Sequence, residues 1–104
     1  MKIQFNTDSN ITESKELRES LIALISEGLS RFSDQISRLE VHLSDENSHK
    51  EGLNDKRCLL EARLEGRQPI AAKNQANNLE QAVIGAVDKL KTSLDTKIGR
   101  SRNY

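Results

Sequence analysis

The sequence predicts an α+β domain of two layers, in which two helices cover one face of a four-stranded mixed sheet. Segments that alternate apolar and polar residues, as strands do, occur at 1–5, 39–43, 57–64 and 69–72. Segments with apolar residues at three- and four-residue steps, as in amphipathic helices, occur at about 13–32 and 79–94. The predicted order is therefore β-α-β-β-β-α, in a chain of 104 residues that suits one domain.

The first strand and the first helix are separated by the turn-forming segment "NTDSNIT". Met1, Ile3 and Phe5 alternate with polar residues, and Thr12 is the predicted N-cap of the helix. Gly28 lies on the apolar face of this helix, and a glycine there costs about 1 kcal/mol relative to alanine. We therefore expect another element to approach closely at Gly28. The apolar stripe consists of Leu17, Leu21, Leu24, Ile25, Leu29 and Phe32.

A second strand and a hairpin form the middle of the chain. Leu39, Val41 and Leu43 alternate with charged residues, and the polar segment 44–55 is predicted to be a long mobile loop. The hairpin turns at Glu65-Gly66-Arg67. Pro69 has no N–H to donate, so it belongs at a strand start or a sheet edge. One side of the third strand is apolar and carries Cys58, Leu60, Ala62 and Leu64.

The last helix is predicted to begin at Asn77 or Asn78. Gly85 points to the side of this helix, where it would let the two helices approach each other. The domain is expected to span 1–98, followed by a frayed tail at 99–104. The apolar stripe consists of Leu79, Ala82, Val83, Ala86, Val87, Leu90 and Leu94.

The arrangement of the layers follows from the connections and the apolar faces. The first crossover makes strands one and two parallel, and the meander makes the other pairs antiparallel. Because every strand has one apolar face, both helices are expected on the same side of the sheet. The predicted core contains Leu21, Ile25, Val41, Cys58, Leu60, Val83 and Leu90. The uncovered face, with charges of both signs that suit solvent, contains Lys2, Arg38, Glu40, His42, Arg57, Glu61, Arg63 and Lys73.

The composition argues against several functional classes. Only 3% of the residues are aromatic, so recognition of bases by stacking is not expected. No apolar run approaches the ~20 residues of a membrane span, and no signal peptide is evident, so we expect a cytoplasmic protein without a membrane partner. Since the sequence contains no glycine-rich phosphate loop or nucleophile elbow, we expect no enzymatic activity, cofactor or small-molecule substrate.

The chemically reactive residues favour structural roles. Cys58 lies on an apolar face without a positioned base, which indicates a buried thiol rather than a nucleophile. His42 and His49 have no partners at metal-site spacing, so no metal site is expected. Glu40, His42 and Glu61 could neighbour one another across strands. On an open sheet face, cross-strand charge pairing is the better interpretation than acid–base catalysis.

The charges are distributed unevenly despite a net charge of zero. Residues 1–51 contain 6 Lys and Arg against 10 Asp and Glu, a net charge of −4, and residues 52–104 contain 10 against 6, a net charge of +4. Lys89 and Lys91 flank the apolar stripe of the last helix on opposite sides. Lys97 falls on the line of the stripe, which indicates that the helix has run beyond the sheet. This basic end suits either phosphate contacts or a solubilised helix terminus. The candidate nucleic-acid-binding residues are Lys89, Lys91, Lys97, Arg100 and Arg102.

Three stretches of the chain carry a resemblance to a known family. These are "NITESKELRESL" at the first helix, "KRCLLEARLEGRQPIAA" in the hairpin and "NNLEQAVIGAVDKLKTSL" in the last helix. Together with the element order, they resemble the ribosome hibernation promoting factor (RaiA) family, also called the sigma-54 modulation family. The resemblance covers about residues 1–98.

The resemblance implies a fold similar to double-stranded RNA-binding domains. It also implies binding in the mRNA–tRNA channel of the small ribosomal subunit during stationary phase or stress, which blocks translation. Lys89 matches the lysine of the family's "DKL" segment, whereas Lys91, Lys97, Arg100 and Arg102 preserve only the basic character. The chain is too short for the dimerisation domain of the long members, so we expect a monomer.

One departure from the family leaves an alternative open. Family members are often basic on both helices, whereas the first helix here is acidic. The alternative is a protein-binding regulatory module that uses this acidic helix or the open sheet face. The charged residues of the first helix are Glu13, Lys15, Glu16, Arg18, Glu19, Glu27 and Arg31.

Overall fold

The computed structural model of the protein describes residues 1–8, 14–45 and 55–102, with side chains as far as residue 98. It confirms the predicted order of strands and helices and the α+β class. The elements are β1 (Lys2–Thr7), α1 (Lys15–Gly28), a single 3-10 turn (Ser30–Phe32), β2 (Ile36–Asp45), β3 (Lys56–Leu64), β4 (Ile70–Ala76) and α2 (Leu79–Arg102).

The four strands form one sheet in the order β1-β2-β3-β4. The β1–β2 pair is parallel and the other two pairs are antiparallel, as predicted. Val41 of β2 lies opposite Leu60 of β3, so the apolar faces of the two strands coincide. Gly66 in the β3–β4 turn has a φ of 74°, a conformation that glycine adopts without steric cost.

The boundaries of the first helix differ from those predicted. Ser14, not Thr12, is the N-cap, and its hydroxyl oxygen accepts a hydrogen bond from the backbone N–H of Leu17 at 3.0 Å. Regular α-helix ends at Gly28 because Leu29, with φ −105° and ψ 13°, leaves the helical region. Phe32 therefore reaches the core from the 3-10 turn.

Two other predicted boundaries are now defined. Asn78 caps α2, since its side-chain oxygen accepts the N–H of Gln81 at 2.8 Å. The helix continues to Arg102, beyond residue 98. The expected domain limit at residue 98 stays a prediction. In the predicted loop 44–55, β2 continues through Asp45 and β3 begins at Lys56. Thr12 and His49 lie outside the described residues.

The core lies between the sheet and the two helices. All seven predicted core residues are buried in it. α2 packs against β3, β4 and α1. The strands bury only the face towards the helices, and the other face stays open, as the alternation predicted. The seven residues are Leu21, Ile25, Val41, Cys58, Leu60, Val83 and Leu90.

Two glycines make room for neighbouring side chains. A Cβ on Gly28 would lie 2.7 Å from Cγ1 of Val87, so α1 and α2 do approach closely there. The prediction for Gly85 was wrong, because this glycine faces the side chain of Asn74 on β4 and not α1. The Asn74 amide donates to the carbonyl oxygens of Gln81 and Ala82 at 3.4 Å each.

A partly buried ion cluster joins the end of β2 to the start of β3. The ammonium of Lys56 lies 3.1 Å from a carboxylate oxygen of Asp55 and 3.3 Å from one of Asp45. Both carboxylates are largely buried. The pKa of Lys56 is raised, chiefly by its hydrogen bond to Asp55 and further by Asp45, against the opposing effect of burial.

We expect Leu60→Ala to reduce the free energy of unfolding by about 2–5 kcal/mol, because it leaves a cavity in the core. Leu60 is fully buried, and urea denaturation measures the loss. The matched control is Leu59→Ala, since the neighbouring leucine lies on the open face and should lose less than half as much. Equal losses would contradict the strand register.

We expect Lys56→Met to reduce the free energy of unfolding by about 1–3 kcal/mol at pH 7, because hydrogen bonds to two charged groups are lost. A lysine with a raised pKa stabilises the fold fully below its unfolded pKa of about 10.4 and loses this contribution as pH rises through the folded pKa. The difference between wild type and variant should therefore be smaller at pH 11 than at pH 7. If the difference in unfolding free energy between wild type and variant grew with pH, the proposed role of the ion cluster would be contradicted. Lys15→Met is the control, at an exposed lysine.

Candidate nucleic-acid interface

The basic residues of α2 point in different directions. The ammonium of Lys89 donates to the backbone oxygen of Lys73 at 3.2 Å, which places it beside the edge strand β4. Lys91 is two positions further on, about 200° around the helix, and lines a groove between the two helices. The two lysines thus lie on opposite sides of α2, as predicted, and cannot share one contact.

The interpretation of Lys97 needs correction. The side chain is exposed, but the helix has not run beyond the core, because Leu94 and Ile98 on either side are buried. Buried positions here recur every four residues, at Leu90, Leu94 and Ile98, and each such step turns the stripe by about 40°. This drift moves the buried face away from Lys97.

Lys97 lies beside the β3–β4 turn. It lines a shallow open cavity with turn residues that include Gly66 and Pro69. The guanidinium of Arg67 donates to the backbone oxygen of Lys97 at 3.4 Å, which ties the turn to α2. We call Arg67, Lys73, Lys89 and Lys97 the β4-side strip.

Sequence reasoning missed two members of the β4-side strip. Alternation had assigned Lys73 correctly to the open sheet face, and Arg67 to a turn. Neither pattern shows that the edge strand and the turn run beside α2, which only the packing of α2 on β4 establishes. The side chains of Arg100 and Arg102, the other predicted contacts, lie outside the described residues.

Lys91 belongs to a different environment. The groove that it lines has an apolar floor, which includes Val87, and a wall formed by Ile84, a residue 40% exposed. Glu27 of α1 and Asp88 of α2 also line it. Lys91 therefore shares its groove with two carboxylates.

The open face of the sheet contains charge pairs within strands and one pair across strands, Glu40 with Arg63, of the kind that the sequence predicted. Glu40 is the centre of the network, with one oxygen 2.8 Å from Nη2 of Arg38 and 3.3 Å from Nε of Arg63. Its other oxygen lies 3.6 Å from Nε2 of His42. Arg63 also lies 3.4 Å from Glu61. The arrangement agrees with charge pairing rather than with an acid–base pair.

An ion pair links the 3-10 turn to α2. Arg31, in the 3-10 turn after α1, lies 2.6 Å from Asp95 of α2. Its guanidinium also lies over the ring of Phe32, 4.7 Å from the centroid. Both groups of the ion pair are well exposed, so the pair adds little stability and mainly orients the side chains.

The one cysteine is structural. Cys58 is fully buried, and burial raises the pKa of its thiol to about 12. Because the thiolate is the reactive form, this side chain is inert at neutral pH. Within ranges 1–8, 14–45 and 55–102, no His, Cys, Asp and Glu side chains cluster as metal ligands would. No helix in the described ranges is both long and apolar enough to span a membrane.

Comparisons with known proteins agree with the fold. The model of the family described as sigma 54 modulation protein / S30EA ribosomal protein matches residues 7–102. A ribosomal subunit interface protein from Coxiella burnetii has a similar structure, with a TM-score of 0.71 and 23% identity over 95% of this chain and 99% of that one. The N-terminal domain of Protein Y from Thermus thermophilus is also similar, with a TM-score of 0.72 and 20% identity over 93% of this chain and 99% of that one. A comparison with curated proteins gave no match.

Proposed function

Because the chain belongs to the sigma 54 modulation protein / S30EA ribosomal protein family, we propose that it is a cytoplasmic hibernation factor that inhibits translation. It binds as a monomer in the mRNA–tRNA channel of the small ribosomal subunit, during stationary phase or stress. Inhibition is steric and requires no catalytic step, cofactor or small-molecule substrate. The match over residues 7–102 is the observation that carries this proposal.

The β4-side strip is the proposed anchor to ribosomal RNA. Its four cations come from the β3–β4 turn, β4 and α2, and two hydrogen bonds connect these elements. Lys and Arg are the residues that neutralise backbone phosphates, and such contacts position a protein without reading the base sequence. This mode suits a chain with few aromatic residues, since stacking on bases plays no part in it.

The geometry of Lys89 favours a phosphate contact. Its ammonium has three N–H donors, and one of them is used by the carbonyl oxygen of Lys73. That hydrogen bond orients the charge towards the outside of β4, with two donors left for a ligand. Lys89 is also the residue that matches the family's "DKL" segment.

A second candidate function is supported by the groove between the helices. Ile84 is one of the most exposed large apolar residues of the described chain, and Glu27 and Asp88 lie beside it. An apolar contact with acidic neighbours suits a basic protein segment better than RNA. A regulatory module of this kind would migrate apart from ribosomes on a sucrose gradient, bound to another polypeptide.

The test of the RNA anchor compares two lysines of one helix. We expect Lys89→Glu to weaken binding to purified small subunits at least about tenfold, equivalent to ~1.4 kcal/mol, because it replaces a phosphate contact by repulsion. The salt dependence should also become shallower, since each lost contact removes about 0.7–0.9 from the log–log slope. Filter binding at several salt concentrations measures both, and the melting temperature should stay close to that of the wild type because Lys89 is exposed.

Lys91→Glu is the matched control, with the same change of charge two residues away. It should weaken binding less than about threefold, because Lys91 lies on the groove side of α2 next to Asp88. If Lys91→Glu lost more binding than Lys89→Glu, the interface would lie on the groove side of α2 and the proposed side would be wrong. Retention of binding by both variants would remove α2 from the interface altogether.

A further inference from the structure

Three cations lie side by side across the open face of the sheet. Lys2 of β1 is the register partner of Arg38 of β2, and Arg38 is also the partner of Arg63 of β3. We call these three residues the cation row. Like charges directly opposite each other destabilise a sheet. The line of three like charges is therefore not itself a source of stability, although Glu40 pairs with two of the cations.

Glu40, the carboxylate that pairs with both arginines of the row, does not mask them from solvent. Glu40 binds both arginines, yet its side chain is only 15% exposed, whereas Arg38 and Arg63 are 42% and 46% exposed. The carboxylate thus lies underneath and holds two guanidinium groups that face outwards. Within the described chain, Nε of Arg38 is buried without a hydrogen-bond partner, so Glu40 satisfies this guanidinium incompletely.

The charge balance differs between the two sides of the domain. Within the strands the open face carries five cations against two carboxylates, a net charge of +3 with His42 neutral, and Asp8, directly after β1 in the same alternation, lowers it to +2. The described charged side chains of α1, the 3-10 turn and α2 are six cations and six carboxylates, a net charge of zero. The open face includes Lys2, Arg38, Arg57, Arg63 and Lys73 with Glu40 and Glu61. The uncovered sheet face is therefore the more cationic of the two.

The cation row lies at the same end of the domain as part of the β4-side strip. β1 and β2 begin at this end and β3 finishes there, directly before the turn that carries Arg67. Arg67 in turn contacts Lys97 near the end of α2. Cations of both layers therefore meet around one end of the molecule.

We propose that the open sheet face is a second RNA-contacting surface, in which the cation row of Lys2, Arg38 and Arg63 binds the sugar-phosphate backbone. The proposal rests on the proposed ribosome-binding function and extends it to the other side of the domain. Neighbouring strands are about 4.8 Å apart, so the row spans roughly 10 Å in a line, which suits a linear polyanion. Together with the β4-side strip, which runs from the β3–β4 turn along β4 to α2, the domain would contact RNA at both the sheet and the last helix.

The charge reversal Lys2→Glu tests the cation row without weakening the fold. A carboxylate opposite Arg38 replaces a repulsive pair by an attractive one, so the melting temperature should stay the same or rise. Binding to purified small subunits should nevertheless weaken at least about fivefold, with a log–log salt slope shallower by about 0.7–0.9. If Lys2 affected binding only through the stability of the fold, the variant would change melting temperature and binding in the same direction.

Lys15→Glu is the matched control, because Lys15 is also exposed and undergoes the same change of charge. It lies at the start of α1, beyond the far end of β1, where a carboxylate suits the helix dipole. Its binding should stay within twofold of the wild type. Equal loss with Lys2→Glu and Lys15→Glu would reflect net charge alone and would overturn the proposal.

A photo-crosslinking amino acid at Gln4, one row further along the same face of β1, identifies what the sheet contacts. The proposal expects an adduct with ribosomal RNA that nuclease digestion shortens. An adduct with a ribosomal protein, or no adduct on subunits that still bind the chain, would overturn it while leaving the proposed function intact. Failure of the unmodified chain to bind small subunits would overturn both.

Discussion

The structure depends on one constraint, that each strand of the sheet has a single apolar face and both helices must cover it. Burying that face against α1 and α2 forms the whole described core and leaves the opposite face in solvent. The contact of Gly28 with Val87 and that of Gly85 with Asn74 then set the rotation of α2. This rotation directs Lys89 towards β4 and Lys91 towards α1, so packing decides where the charges lie.

The fold could be predicted from the sequence because strand and helix periodicities are local. The alternation of residues placed Val41 on the correct face of the sheet, the one covered by the helices, and every predicted core residue is buried. The candidate site was less predictable because it depends on contacts between distant segments. Comparing Lys97 with the mean direction of the whole apolar stripe hid the drift that exposes this residue, and no local pattern shows the contact of Arg67 with α2. Gly85 was misassigned because a helical wheel shows its direction but not the neighbour in that direction.

The net charge of zero conceals an uneven distribution of charged side chains over the surface. On the open sheet face, Glu40 holds Arg38 and Arg63 in place, and the two guanidinium groups are more exposed than the carboxylate. The acidic residues of α1 and the groove near Ile84 lie apart from these cations. A domain with cations on two layers can bind RNA through phosphates alone, and its affinity would be sensitive to salt. Cys58, with its raised pKa, contributes to packing and not to chemistry.

The central claim is that the chain inhibits translation by occupying the mRNA–tRNA channel of the small subunit. Competition tests it most directly, by measuring binding of the labelled protein to small subunits whose channel is either empty or filled with mRNA and initiator tRNA. The account predicts tight binding to empty subunits and at least about tenfold weaker binding to filled ones, a difference of ~1.4 kcal/mol. Equal binding to both, with mRNA and tRNA retained, would contradict it.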